Sequence, residues 1–160
     1  ISTRGIIGFE FELLNLSSGH GIMSHLFKEY APHCGEIPTR KTGALISMAT
    51  GTAMNYSLVP IADRGKLFIE PGEEVYEGQI IGLHSRSNDL PVNPTKGKQL
   101  TNVRASGTDE AVTLTPPISG TLEQALEFIE DEELVEVTPN NIRLRKKLLT
   151  ENERKRASRA

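Results

Sequence analysis

The polar residues between Ser85 and Ala111 are the first candidates for chemistry, because they supply varied hydrogen-bond donors without an aromatic residue among them. The donors include lysine, arginine, hydroxyl and amide groups, carried by Lys98, Thr101, Asn102, Arg104 and Ser106. Such a mixture suits the phosphate and ribose oxygens of an RNA backbone, which are contacted by position rather than by sequence. Without an aromatic side chain, base stacking in this stretch is not expected.

This stretch is also long for a connection between elements. Loops longer than about 12–15 residues are uncommon in compact domains and are usually functional or disordered. Aliphatic residues recur within it at Leu90, Val92, Leu100 and Val103, which a purely solvated linker would not need. We therefore predict a basic loop over 85–111 that contacts an anion, for which a phosphate backbone is suited.

Charge is segregated along the chain, although the formal net charge is only −3. An acidic block from Glu123 to Glu136 contains no lysine or arginine, and it is typical of a solvated helix face. A basic tail over 143–160 follows, and its first cations are Arg143, Arg145, Lys146 and Lys147. Local charge matters more than net charge for a polyanion. The tail is either a solvated terminus or a second anion-binding element.

Patterns for catalysis or metal binding are missing from the sequence. The four histidines have no carboxylate or thiolate at ligand spacing, and neither a nucleophile elbow nor a dinucleotide fingerprint occurs. Gly65-Lys66 and Gly97-Lys98 both lack the earlier glycine and the following Ser/Thr of a phosphate loop. We expect no catalytic residue, no metal and no cofactor in this chain.

The length of 160 residues suits one domain, or one domain and part of another. No apolar run is long enough to span a membrane, and the single Cys34 excludes an internal disulfide. The chain begins at Ile1 rather than at Met and enters at once what resembles the end of a strand, so we expect it to be part of a longer protein.

Hydrophobic periodicity predicts the elements. A helix is expected from near Thr3 to Gly19, followed by a strand over Gly21–Tyr30. Short strands are expected in "GALISMAT", "TAMNYSLVPI", "GKLFIE", "GQIIGLHS" and "AVTLTPP", and a hairpin is expected in "ELVEVTPNNIRLRK".

Two further helices begin with the spacing of a capping box. The helix Thr121–Glu130 should pack through Leu122, Ala125, Leu126 and Ile129. The helix that follows Thr150 has no apolar stripe, so it should be polar on all sides.

The stretch "IEPGEEVYEGQIIG" contains the pattern G-x-x-V-x-x-G, which also occurs in lipoyl and biotinyl carrier hairpins. Those carriers present a lysine at the hairpin tip, whereas Lys66 precedes the motif here. The simpler interpretation is two tight turns in which Gly72 and Gly78 adopt positive φ.

Four stretches resemble a known family: "TRGIIGFEFELLNLSSGHGIM", "DRGKLFIEPGEEVYEGQIIGLHSRSNDLPVN", "KQLTNVRASGTDEAV" and "TLEQALEFIEDEELVEVTP". They resemble the C-terminal part of the BipA/TypA family, which are ribosome-associated translational GTPases related to elongation factor G and LepA. The resemblance covers essentially the whole chain.

The resemblance implies an α+β fold in two parts. Residues 1–34 would be the second half of a ferredoxin-like domain, the fifth domain of elongation factor G. Residues 35–160 would be the family's β-rich C-terminal domain, with one main helix, the loop 85–111 and the basic tail 143–160.

The resemblance also implies the partners. In the family this domain reaches the A-site region of the large ribosomal subunit, where its long loop meets the tRNA acceptor arm and ribosomal RNA. Carried onto this sequence, the loop contacts are Lys96, Lys98, Asn102, Arg104, Ser106 and Thr108. The first four cations of the tail complete the expected RNA-binding set.

GTP and Mg²⁺ would then belong to a G domain upstream of this chain. The chain itself would be a cytoplasmic, ribosome-associated monomer without a membrane partner, from a family linked to ribosome assembly and the stress response. One alternative is a protein-interaction module whose acidic helix docks a basic ribosomal protein. The other is a cofactor carrier modified on lysine.

Overall fold

The chain folds into two compact units, which span Ile1–Thr39 and Arg40–Ala160. The computed structural model describes residues 1–6, 9–33, 35, 40, 42–97, 114–118 and 120–159. Helices occur together with a mixed sheet, so the predicted α+β class is confirmed. In these described residues no helix is long and apolar enough to cross a membrane.

The first unit contains helix α1 (Phe9–Leu16), which a 3-10 turn over Thr3–Gly5 precedes, so the helix begins later than predicted. Gly19 follows it with a φ of +84°, as expected for a glycine at a helix C-terminus. The strand predicted over Gly21–Tyr30 is wrong, because these residues have no regular secondary structure and most are exposed. A strand needs a neighbour for its backbone hydrogen bonds, and the described residues of this unit supply none.

Within its described residues, the second unit contains strands and three helices, where one main helix was expected. The strands are β1 (Ala44–Ser47), β2 (Gly51–Thr52), β3 (Gly65–Leu67), β4 (Glu74–Val75), β5 (Gln79–His84), β6 (Leu90–Val92), β7 (Glu133–Val137) and β8 (Ile142–Lys146). The helices are α2 (Asn55–Ala62), α3 (Leu122–Phe128) and α4 (Glu151–Ala157).

The main sheet has the strand order β6-β1-β5-β8-β7, and β3 pairs with β5 beside this row. Its pairs are antiparallel except for β1 and β6. The predicted hairpin of β7 and β8 is confirmed, with Glu133 opposite Lys146 and Val137 opposite Ile142. A second, small sheet joins β2 and β4.

Helix α2 occupies a segment that was predicted to be a strand. Its residues Leu58 and Ile61 are both buried and lie about one turn apart, which is helical spacing. Val59 and Ile61 favour strands by propensity, but the burial of one helical face overrides that preference. Pro60 has no backbone N–H, and the helix ends two residues after it.

Two apolar clusters lie on opposite faces of the main sheet, because successive residues of a strand point to opposite sides. In β5, Ile81 belongs to the larger cluster and Ile80 to the smaller one. Leu58 of α2 packs in the larger cluster, whereas Phe128 of α3 packs against the smaller one. Burying each large aliphatic side chain contributes about 1.5–3 kcal/mol, so both faces stabilise this unit.

Both predicted capping boxes are present. In α3, the Thr121 hydroxyl accepts a hydrogen bond from the Gln124 N–H, and the Gln124 side chain accepts one from the Thr121 N–H. Thr150 and Glu153 repeat this arrangement at the start of α4. None of the residues of α4 is buried, so its predicted polar character is confirmed.

The buried face predicted for α3 is only partly right. Ala125 is 6% exposed, whereas Leu122 and Leu126 are 37% and 55% exposed. The end of the helix makes the main contact instead, since Phe128 packs edge-on against Phe68 with ring centroids 5.3 Å apart. The two leucines are left facing solvent because the helix is short and packs mainly through its last turn.

Candidate nucleic-acid interface

The first part of the predicted loop is built into the fold. Leu90–Val92 forms β6 and pairs with β1, so the prediction of a loop over the whole of 85–111 is wrong for these residues. Pro94 is buried, and its carbonyl accepts hydrogen bonds from the Met54 N–H at 2.8 Å and from the Ser57 hydroxyl. Lys96 follows this anchor and is exposed.

The other predicted loop contacts lie outside the described residues: Lys98, Asn102, Arg104, Ser106 and Thr108. Beyond them, Leu114 packs against the larger apolar cluster. The Ile118 N–H then donates to the Leu67 carbonyl at 2.9 Å. The described residues on either side of these positions, Pro94 and Leu114, are therefore packed into the second unit.

Strand β8 places two predicted contacts on one face of the sheet. Arg143 and Arg145 alternate with Leu144, which packs in the smaller cluster, so the arginines lie on the opposite face. The Arg143 guanidinium is 3.9 Å from the carboxylate of Glu136 on β7. Lys147 follows the strand and is exposed.

Lys146 lies apart from these cations, on the face of the sheet that carries Leu144. Its ammonium group is 2.6 Å from the Asp89 carboxylate and 2.7 Å from the Glu133 carboxylate, and its side chain is 5% exposed. The charge of Lys146 is thus neutralised inside the protein, and we leave this residue out of the interface. The alternation of apolar and charged residues along β8 places Lys146 on the same face as Leu144, and this was the sequence signal for the burial of Lys146.

Arg40 completes a buried ionic cluster, defined by Arg40, Asp89, Glu133 and Lys146. Its guanidinium makes two hydrogen bonds to the Glu133 carboxylate, both of 2.9 Å. It also lies 4.3 Å from the centroid of the Phe128 ring. Sequence reasoning placed Glu133 in a solvated acidic block, whereas its side chain is fully buried. The distribution of charge along the sequence did not indicate that Arg40 and Glu133 form an ion pair.

The cluster shifts two pKa values in opposite directions. Burial disfavours the charged form of Asp89, but hydrogen bonds from Lys146 and the Ala44 N–H and the nearby positive charges outweigh it, so the pKa of Asp89 is lowered. Burial also disfavours the charged form of Lys146. The hydrogen bonds to Asp89 and Glu133 outweigh it there, so the pKa of Lys146 is raised.

We therefore expect stability to fall at both ends of the pH scale. A lowered carboxyl pKa adds stability that is present above the unfolded-state value of about 3.9 and is lost as the pH falls through the folded value. A raised lysine pKa adds stability that is present below about 10.4 and is lost as the pH rises through the folded value. Urea unfolding at a series of pH values, followed by circular dichroism, measures this.

The matched control for this profile is the double variant Asp89→Asn, Lys146→Met. Because it removes both titrating groups, the difference between the wild-type and variant stabilities isolates their contribution. That difference should shrink below about pH 4 and above about pH 10.5. A difference independent of pH would contradict the described pairing.

The arginine-bearing face also holds a shallow groove of about 560 Å³, lined by Tyr76, Leu134, Val135, Glu136, Arg145 and Leu149. The Tyr76 hydroxyl donates a hydrogen bond of 2.7 Å to Glu136. Burial, together with this hydrogen bond and the nearby carboxylate charge, raises the pKa of Tyr76, so its hydroxyl remains protonated. Sequence reasoning did not find this groove, because its residues come from separate segments.

Helix α4 begins next to this groove. The Arg154 guanidinium donates to the carbonyls of Leu148 at 2.9 Å and Leu149 at 2.5 Å, and Leu149 lines the groove. Lys155 forms an ion pair of 2.5 Å with Glu151 on the same helix. This later part of the predicted basic tail is therefore attached to the residues that line the groove.

Metal binding receives no support in the part of the chain that the structure describes, where no group of three or more His, Cys, Asp or Glu could hold an ion. Lys66, the lysine considered for a carrier, lies within β3 opposite Leu83 of β5. It is therefore part of a strand pairing and not a hairpin tip.

A family model described as the TypA/BipA C-terminal domain matches residues 42–151, which is more than half of the chain. Curated proteins named "Large ribosomal subunit assembly factor BipA" are also similar. The identity is 59% over 161 residues for Escherichia coli (strain K12), 58% over 160 residues for Haemophilus influenzae and 56% over 160 residues for Buchnera aphidicola. These alignments cover 99–100% of this chain but 26% of each relative. The chain thus spans about a quarter of the length of the relatives it matches.

Proposed function

The chain belongs to the TypA/BipA C-terminal domain family, and from this membership we propose that it is a non-catalytic RNA-binding region that positions a longer protein on the large ribosomal subunit. The observation that carries the proposal is the anchored start of the basic loop, where exposed Lys96 follows buried Pro94. The name of the relatives, a large-subunit assembly factor, supports a ribosomal partner.

The interface consists of two groups of side chains. The loop group is Lys96, Lys98, Asn102, Arg104, Ser106 and Thr108, and the strand group is Arg143, Arg145 and Lys147. Both groups contact phosphate and ribose oxygens, so they fix the position of the protein and do not read a base sequence. Ribosomal RNA of the large subunit and the acceptor arm of an A-site tRNA are the proposed RNA partners.

Within this proposal, residues 1–34 are the second half of an elongation-factor-type fifth domain, and residues 35–160 form the family-specific domain. GTP and Mg²⁺ are bound by a G domain of the longer protein, and this chain hydrolyses no GTP. The protein acts in the cytoplasm on the ribosome.

The test is the triple variant Lys96→Ala, Lys98→Ala, Arg104→Ala. Each cation that neutralises a phosphate releases condensed counterions, so each loss should weaken binding and flatten the salt dependence by roughly one unit of slope or less. Cosedimentation of the chain with purified large subunits, over a series of salt concentrations, measures both quantities. The fold should persist, because an exposed charge changes stability by about ±0.5 kcal/mol.

A second triple variant, Lys28→Ala, Arg64→Ala, Lys66→Ala, serves as the matched control. It removes the same charge from exposed positions outside the proposed interface. Binding by this variant should stay near the wild-type level. If both triple variants bind as the wild type does at every salt concentration, the loop is a linker and the proposal is wrong.

The exposed leucines of α3 favour a second candidate function, which is docking to a basic ribosomal protein. Leu122 and Leu126 lie four residues apart and face solvent, and Glu123 stands between them. An apolar strip beside acidic residues suits an amphipathic basic segment. The variant Leu122→Ser, Leu126→Ser should abolish cosedimentation under this alternative, and it should leave cosedimentation intact under the RNA-binding proposal.

A further inference from the structure

The groove beside β7 and β8 combines three kinds of surface that a single nucleotide needs. Tyr76 contributes an aromatic ring, Leu134 and Leu149 contribute apolar area, and Arg145 contributes a guanidinium group. Its volume of about 560 Å³ falls in the range of roughly 300–1,000 Å³ that holds ligands of drug size. A nucleotide is a ligand of this size.

The Tyr76 ring is held in place before any ligand arrives. Its hydroxyl donates to Glu136 at 2.7 Å, and its backbone N–H donates to the Gln79 side chain at 3.2 Å. Gln79 is itself buried in β5, opposite Arg145. A binding surface whose side chains are already oriented loses less conformational freedom when a ligand binds.

The charge around the groove favours an anion. Glu136 is engaged by the Tyr76 hydroxyl and lies 3.9 Å from the Arg143 guanidinium. Arg145 forms no salt bridge within the described part of the chain, so its guanidinium is available to a phosphate. Lys147 is exposed just after the strand.

We propose that this groove holds one unpaired nucleotide of an RNA strand, with the base against the Tyr76 ring and the phosphate on Arg145. Single-stranded RNA is recognised in this way, by stacking splayed bases on aromatic side chains and contacting the backbone with cations. The proposal rests on the RNA-binding function proposed above and adds a preference for unpaired RNA at one site.

An extended peptide is the competing occupant, because β7 is the last strand of the sheet and pairs on its outer edge with none of the described residues. The groove favours RNA over that peptide because its lining includes the Tyr76 ring and the Arg145 guanidinium, which forms no salt bridge among the described residues. A peptide added to the edge would rely on the β7 backbone and would not need the Tyr76 ring or Arg145.

The experiment compares two labelled RNAs by fluorescence anisotropy: a hairpin with an unpaired loop and a blunt duplex of equal length. Two substitutions of Tyr76 separate stacking from structure. Tyr76→Phe and Tyr76→Leu both remove the hydroxyl and its hydrogen bond to Glu136, but only Tyr76→Leu removes the aromatic face. Arg145→Ala removes the guanidinium, and Lys66→Ala is the charge-matched control. Circular dichroism checks that each variant is folded.

We expect the wild type and Tyr76→Phe to prefer the unpaired loop, with affinities for it within about twofold of each other. Tyr76→Leu and Arg145→Ala should bind the loop roughly fivefold or more weakly, in line with the effect of removing a stacking or phosphate contact. Lys66→Ala should retain the preference. A second readout is the site of photo-crosslinking by 4-thiouridine in the loop, which should be Tyr76 or its neighbours.

Two outcomes overturn the inference in distinguishable ways. If the chain binds both RNAs equally and Arg145→Ala behaves as Lys66→Ala does, the groove is not a nucleotide site. Arg145 then leaves the proposed interface, and the RNA-binding function rests on the loop group and the other cations. If the chain binds neither RNA, the proposed function fails together with this inference. A Tyr76→Phe variant as weak as Tyr76→Leu would assign the effect to the hydroxyl and the fold, and would also overturn it.

Discussion

Replacing Glu133 by alanine is expected to lower the free energy of unfolding by about 3–5 kcal/mol, the usual cost of removing one partner from a buried ion pair. Glu133 is fully buried and is bound by both Arg40 and Lys146. Its loss leaves the guanidinium of Arg40 and the ammonium group of Lys146 inside the unit, with the partly exposed carboxylates of Asp89 and Glu130 as their remaining partners. Urea unfolding, followed by circular dichroism, measures the change.

Glu132→Ala is the matched control for this prediction, because Glu132 is the adjacent residue and is exposed. Removing an exposed charge usually changes stability by about ±0.5 kcal/mol. The contrast between these two neighbours tests whether burial, rather than acidic character, decides the effect. A loss below about 1 kcal/mol for Glu133→Ala would show that the ionic cluster does not hold the fold together.

Replacing Gly78 by alanine is expected to lower the free energy of unfolding by about 2–5 kcal/mol, for two separate reasons. Gly78 has a φ of +87°, and an L side chain pays about 1–2 kcal/mol in this region. An added Cβ would also lie 2.6 Å from the Leu149 Cα and 2.7 Å from the Leu149 carbonyl oxygen. Such a contact forces the backbone to move, which typically costs about 1–3 kcal/mol.

Movement at Gly78 would reach the sheet. Its N–H donates to the Ser47 carbonyl and its carbonyl accepts from the Lys146 N–H, both at 2.9 Å. The residue therefore ties β1 and β8 to the start of β5. We expect its substitution to disturb the groove as well, because Leu149 lines it.

Gly72→Ala separates the two contributions to this prediction. Gly72 has a similar φ of +93°, but no atom lies within 4 Å of an added Cβ. In this variant the free energy of unfolding should fall only by the backbone contribution of about 1–2 kcal/mol. The two variants, compared by thermal and urea unfolding, should thus differ by roughly the cost of overpacking. Equal losses would show that the contact with Leu149 is relieved at no cost.

Features that depend on neighbouring residues were predictable from the sequence. The capping boxes at Thr121 and Thr150 involve partners only three residues away, so their spacing is sufficient to identify them. The positive φ of Gly72 and Gly78 follows from turn chemistry in the same way. The β7–β8 hairpin is equally local, because a short turn brings two alternating segments together.

The candidate site was predictable only as a distribution of charge. The sequence indicated that cations gather in the loop and along β8. In the structure Lys96 is exposed, and Arg143 and Arg145 are half-buried. It did not indicate the groove, because Tyr76 and Arg145 line the same groove only when β5 pairs with β8. Long-range pairing of this kind leaves no periodic signal in the separate segments.

The tertiary structure alone decided which charges pair inside the protein and that the segment of α2 becomes a helix. Arg40 and Glu133 are 93 residues apart, and they bind each other because both reach the same face of the sheet. The segment of α2 has residues that favour strands, yet it is helical because a helix buries Leu58 and Ile61 together. Local preferences amount to a few tenths of a kcal/mol per residue, whereas burying one such side chain contributes about 1.5–3 kcal/mol. Packing therefore overrode the local pattern in α2.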